Sequence, residues 1–308
     1  MTVVRVAAIQ AAPVVLDRDA TIDKACGLIA KAAGEGADLI VLPESFVPAF
    51  PEWVWRTKPW DPQATALYSR LADQAVVVGG PEADRLGAAA RQATALVSIG
   101  VTEREEHGST LYNTQLLFGA DGALLHRHRK VMPTGGERLV WGQGDGSSLH
   151  AVDTTAGRIG TLICWENLMP LARTALYADG IDIHLAPTWD SADAWVATLR
   201  HIAREGRVFV IGVNQCVSSR DIGPGVPGRN ELYGGPDDVL SLGNTSIVGP
   251  DGNLIEGPLR GEEGMLVADL DLAEARAARQ MNDPVGHYAR HDLLRLVVDL
   301  PRSPESDR

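Results

Sequence analysis

The sequence predicts an α/β fold, and three observations carry that expectation. Short, nearly unbroken apolar runs recur at residues 3–10, 38–42, 75–78, 159–163, 181–185 and 208–213, the pattern of strands buried on both faces. Segments of helical composition separate the last three of these runs. Asp-Gly dipeptides at Asp121-Gly122 and Asp251-Gly252 lie between apolar runs and predict two tight hairpins.

Residues 3–10 are β-branched and apolar, and Ile22, Cys26, Ile29, Ala30 and Ala33 then follow at helical spacing before Gly34 and Gly36, so a strand is expected to lead into a helix. The run 38–42 reads as a buried strand that stops at Pro43-Glu44. The two hairpin segments, 118–124 and 248–254, read alike and suggest two similar halves with a mixed sheet, although the likeness is too short to define a repeat. Residues 218–244 hold six Gly and three Pro without clear periodicity and are expected to form a long loop or insertion, a lid or an interface. The chain is read as one domain over 1–298, followed by a flexible tail at 299–308.

Bulk properties narrow the function classes. With 308 residues, 45% hydrophobic and 22% charged, the chain has enough apolar material to fold without disulfides or metals. Its formal charge of −12 repels phosphate backbones, so nucleic acid and anionic membranes are not expected partners. No run approaches the ~20 apolar residues of a membrane span. Three widely spaced cysteines, Cys26, Cys164 and Cys216, fit a reducing compartment, and a cytoplasmic location is expected.

Cys164 ends the run 159–163 and precedes Asn167, which could cap a helix with Pro170 in its first turn. A thiol at such a corner would meet free N–H groups that favour the thiolate. The alternative is that the cysteine is a small buried hydrophobe, the reading kept for Cys26 and Cys216. A nucleophilic thiol needs a proton acceptor. His126, His128, His184, His201 and His287 are available, but no segment names one of them as the base. Glu44 stands where a buried strand runs out, the edge at which α/β sheets place their chemistry, and it competes with the reading of a loop glutamate. Lys130 closes a basic run and is otherwise a solvated strand end. His and Cys residues show no ligand spacing, so neither a metal nor another cofactor is expected.

Three segments together resemble the nitrilase superfamily of carbon–nitrogen hydrolases: Leu42-Pro43-Glu44-Ser45-Phe46, His128-Arg129-Lys130-Val131-Met132-Pro133-Thr134 and Cys164-Trp165-Glu166-Asn167. The stretches around Glu137-Arg138 and Trp141–Ser147, Ala186-Pro187-Thr188-Trp189, and 283–288 resemble its nitrilase branch. The resemblance covers about residues 5–298. It implies a four-layer α-β-β-α sandwich, stacked into a homodimer or a larger homo-oligomer. It also implies catalytic roles for Glu44, Lys130 and Cys164, with Glu137 in support. The implied reaction converts a small-molecule nitrile to acid and ammonia through a thioimidate and a thioester. An amidase, a cyanide hydratase and a non-catalytic scaffold are the alternatives. Trp53, Trp141, Trp165 and Trp189 lie near the candidate groups in sequence and are expected to wall an aromatic substrate pocket.

Overall fold

A computed structural model describes residues 3–235 and 238–299. The first half of the chain runs β1 (Val3–Gln10), α1 (Arg18–Gly34), β2 (Leu39–Val41), α2 (Pro62–Asp73), α3 (Pro81–Ala93), β3 (Leu96–Arg104), β4 (Leu111–Phe118) and β5 (Leu124–Arg129). The second runs β6 (Val152–Thr154), β7 (Gly157–Thr161), α4 (Pro170–Ala178), β8 (Ile183–Leu185), α5 (Asp193–Gly206), β9 (Phe209–Gly212), β10 (Cys216–Ser218), α6 (Arg229–Leu232), β11 (Val239–Val248), β12 (Leu254–Arg260), β13 (Gly264–Asp271) and α7 (Leu272–Arg279).

These strands form two mixed sheets, ordered β13-β1-β2-β3-β4-β5 and β10-β11-β9-β8-β7-β6, with β12 added on β11. Strand alternation assigns the layers. Ala7 and Ile9 of β1 face Ile22, Ile29 and Leu86 of α1 and α3, whereas Val4, Val6 and Ala8 pack with Ile159, Ile183 and Phe209 of the second sheet. The far side of that sheet offers Val210 and Val248 to Leu176, Leu199 and Ile202 of α4 and α5. The result is the four-layer α-β-β-α sandwich.

The two halves repeat one plan. β1, β2 and β3 pair in parallel, as do β7, β8 and β9, and each set continues into an antiparallel hairpin, β4-β5 or β11-β12. Both Asp-Gly turns need a glycine, with φ +83° at Gly122 and +86° at Gly252. A Cβ there would lie 2.6 Å from the Gly87 carbonyl of α3 and 2.9 Å from the Arg200 carbonyl of α5, respectively.

Three expectations need correction. Residues 75–78 form no strand: Val76 makes a single bridge to Glu103, because the chain turns at Gly80, whose N–H donates to Val77, and Pro81 then opens α3. Residues 218–244 are not featureless, since they include a 3-10 turn at Ser219–Asp221, α6 and the start of β11. Arg229 organises this segment by donating to the carbonyls of Ser219, Ile222 and Tyr233. Asn167 caps no helix: Met169 precedes α4, and the Asn167 amide instead donates to the carbonyls of Leu162 and Cys164. Of the expected tail, residues 300–308 lie outside the described residues.

Candidate active site

The site forms where strands end. Glu44 follows β2, Lys130 follows β5 and Cys164 follows β7. Gly100 of β3 lets the Glu44 turn approach, since a Cβ there would lie 2.3 Å from the Ser45 nitrogen. Ser45 and Cys164 both adopt left-handed backbone, with φ of 44° and 53°. Such strained positions in non-glycine residues persist only where surrounding contacts hold them. At Cys164 that hold includes its own N–H, which donates to the Pro187 carbonyl at 2.8 Å.

Lys130 Nζ donates to Glu44 Oε1 and to Glu137 Oε2, both at 2.8 Å. Asn113 Nδ2 donates to the same Glu44 Oε1 at 2.7 Å, and the Asn113 carbonyl accepts the Lys130 backbone N–H at 2.8 Å. Thr134 anchors Glu137 Oε2 through its backbone N–H. Thr188 Oγ1 donates to Cys164 Sγ at 3.2 Å. Glu44 and Lys130 are fully buried, and Glu137 and Cys164 nearly so.

Burial sets the electrostatics. Desolvation opposes the Lys130 ammonium, but the charge of Glu44, with Glu137 beside it, outweighs this and holds the group above the usual lysine range. Burial pushes the Glu137 carboxyl up, with Lys130 pulling against it. It also pushes the Cys164 thiol up to about 12, aided by the charge of Glu44 and opposed by Lys130. A thiolate favoured by its backbone corner is therefore not the resting state, because desolvation of the anion outweighs the donors around it. The thiol rests protonated, beside a carboxylate.

Behind these groups Glu166 ties two segments together. It accepts from the Ile163 N–H at 2.7 Å, from the Val131 N–H, and from His128 Nε2 at 2.9 Å. On the other side of the ring, His128 Nδ1 is hydrogen-bonded to Ser148 Oγ at 2.8 Å. His184 likewise donates to Asn167 Oδ1 at 2.6 Å. The two buried histidines thus serve the scaffold around Cys164.

Of the four tryptophans expected to wall the pocket, Trp53, Trp141 and Trp189 gather around Phe50. Phe50 stacks on Trp189 at 4.7 Å and meets Trp141 edge-on at 5.6 Å. Ile222, Val226 and Tyr233 from the 218–244 segment close over this cluster. Trp165 stands apart from it, 47% exposed, with its indole N–H donating to Asp190 at 2.9 Å. Sequence reasoning missed Asn113 and Phe50 and assigned no role to Thr188 and Glu166, although both lie in the quoted segments. The signal for Asn113 was a polar run, Asn113-Thr114-Gln115, inside an otherwise apolar strand. Among the described residues, no group of three or more His, Cys, Asp or Glu side chains is arranged to hold a metal ion.

The sequence profile of the carbon-nitrogen hydrolase family matches residues 5–280. The chain is 45% identical to an aliphatic nitrilase of Sinorhizobium fredii (strain HH103), covering 97% of this chain and 96% of that one. It is 42% identical to the bifunctional nitrilase/nitrile hydratase NIT4B of Nicotiana tabacum, covering 96% and 86%. In fold it is similar to a carbon-nitrogen hydrolase of Helicobacter pylori G27, with a TM-score of 0.75 at 19% identity and coverage of 94% and 96%.

Proposed function

The chain belongs to the carbon-nitrogen hydrolase family, and from that premise we propose that it hydrolyses an organic nitrile to the carboxylic acid and ammonia at Cys164. The single observation that best supports this site is the Glu44–Lys130–Glu137 chain of 2.8 Å contacts, buried beside a thiol whose hydroxyl partner lies at 3.2 Å.

The geometry supports the following steps. Glu44 takes the Cys164 proton as sulfur attacks the nitrile carbon, so the thiolate forms only as it is consumed. The proton passes to the nitrile nitrogen and a thioimidate results. Thr188 donates to the sulfur while charge builds there. Water, deprotonated by Glu44, adds to the thioimidate carbon, ammonia leaves with a proton from Glu44, and a second water cleaves the thioester. Lys130 stays cationic throughout and stabilises the tetrahedral species, with the backbone N–H of Trp165 as a second donor. Glu137 positions Lys130. The aromatic cluster of Phe50, Trp53, Trp141 and Trp189 lines the path for the substrate's apolar group, and Trp165 stands at its edge.

Finer readings of setting are also ours. Free cysteines at positions 26, 164 and 216 support a reducing, cytoplasmic location, and no described helix is long and apolar enough to cross a membrane. Exposed Leu171, Leu293, Leu294 and Val297 support assembly into a homodimer or larger homo-oligomer.

Intact-mass analysis after mixing with a panel of nitriles and matched amides tests the reaction. An adduct on wild-type enzyme, absent from a folded Cys164→Ala variant, is expected. Wild-type turnover by Cys164→Ala would refute the assignment.

A further inference from the structure

We propose that Asn113 is a positioning residue that confines the catalytic proton to one oxygen of Glu44 and so steers the tetrahedral intermediate toward loss of ammonia rather than release of an amide. The inference rests on the nitrile-hydrolysis reading above and deepens it.

The two carboxylate oxygens of Glu44 have unlike surroundings. Oε1 accepts from Lys130 Nζ at 2.8 Å and from Asn113 Nδ2 at 2.7 Å. Among the described residues, Oε2 is buried without a donor. A buried, unpaired carboxylate oxygen is costly, and such a group calls for a specific explanation. Protonating Oε1 would displace one of its two donors, whereas Oε2 is open to take the thiol proton. The Asn113 amide orientation is fixed by the same contact, since a carboxylate oxygen accepts only from the NH2 side. Asn113 Oδ1 is then a second buried acceptor without a donor. These two atoms belong to one hydrogen-bonded group, and each can accept an N–H or O–H, with no protein donor to either among the described residues. The attacking water and the amine nitrogen of the intermediate supply such hydrogens.

Lys130 alone cannot fix the carboxyl plane, because it is a point donor on a flexible stem that is shared with Glu137. Asn113 can, since its amide sits on β4 and its backbone carbonyl also holds the Lys130 N–H. After water has added, the intermediate carbon carries sulfur, oxygen, an NH2 group and the substrate chain. Transfer of the Oε2 proton to nitrogen breaks the C–N bond, the oxygen lone pair reforms C=O, and NH3 leaves behind a thioester. Transfer of that proton to sulfur breaks the C–S bond instead and releases the amide with Cys164 as thiol. Both outcomes use one proton, so its position decides between them. Asn113 holds the carboxyl plane as it stood when Oε2 first passed its proton to nitrogen, which favours transfer to nitrogen over return to sulfur.

Asn113→Leu removes the donor at nearly constant size, Asn113→Ala removes it with the side chain, and both keep the backbone contact with Lys130. Each variant is given a nitrile turned over by wild-type enzyme, and acid, amide and ammonia are quantified. The amide-to-acid ratio is expected to rise about tenfold, the effect of one hydrogen bond to a charged group. A merely structural role would lower all products together and leave the ratio alone. A ratio within about twofold of wild type in either folded variant, verified by thermal melt, overturns the proposal. Wild-type enzyme run in parallel reports on nitrile hydrolysis itself, so the two readings can fail separately.

Discussion

Lys130 Nζ lies 2.8 Å from Glu44 Oε1, and neither side chain reaches solvent. Glu137 Oε2 lies at 2.8 Å from the same ammonium, so one cation is shared between two carboxyl groups. Lys130→Met should therefore affect folding as well as chemistry. Breaking a buried ion pair by removing one partner costs roughly 3–5 kcal/mol, and losing a donor to a transition-state anion lowers kcat by about 10² to 10³. Thermal melts and steady-state kinetics on the same preparation check both. A variant with wild-type kcat would remove Lys130 from the mechanism.

The resting thiol supplies a second prediction. Because burial and the Glu44 charge push Cys164 up to about 12, the neutral form persists well above the usual thiol range. Alkylation of free enzyme by iodoacetamide should be slower than for an exposed thiol, and its rate should still be climbing at pH 9. A plateau reached below pH 7 would show a preformed thiolate and make Glu44 unnecessary as the base.

How much of this was legible in the sequence depends on whether the cause was local. Leu42-Pro43-Glu44 and the run before Cys164 announced themselves because a buried strand must stop somewhere, and the residue at its end lands at the sheet edge. The 75–78 run misled because its apolar character was real but Gly79-Gly80-Pro81 turned the chain before a strand could form. Asn113 was hidden for another reason. Its value comes from β4 pairing beside β5, which brings it to both Glu44 and Lys130, and no local pattern encodes that register. Desolvation of Cys164 was equally invisible, since its backbone corner favours the anion and only the surrounding layers oppose it.

The stacked pair Phe50–Trp189, 4.7 Å apart and 6° from parallel, predicts where substrate preference resides. Trp189 follows directly after Thr188, which touches Cys164, so loosening the stack would free the proposed substrate wall nearest the nucleophile. Phe50→Leu keeps an apolar side chain but forfeits an aromatic contact of about 0.5–1.5 kcal/mol. KM for aryl-bearing nitriles should rise several-fold while kcat changes less, and a short aliphatic nitrile should be affected least. Equal effects across a series of nitriles would place the pocket elsewhere.

Glu166 predicts how the lysine and cysteine segments are kept in register. Its carboxylate takes the N–H groups of Ile163 and Val131 and the His128 ring N–H, so one buried side chain holds the residue before Cys164 and the residue after Lys130. Glu166→Gln preserves shape but turns one acceptor oxygen into an NH2 group facing a fixed N–H donor. The mismatch should cost about 1–3 kcal/mol of stability. Because a shift of ~1 Å at a reacting centre can cost about 10²-fold in rate, kcat should fall by roughly that factor with KM little changed. Steady-state kinetics at a temperature well below the variant's Tm separates the effects: a destabilised enzyme with undiminished kcat would mean that Glu166 supports the fold without setting the distance between Lys130 and Cys164.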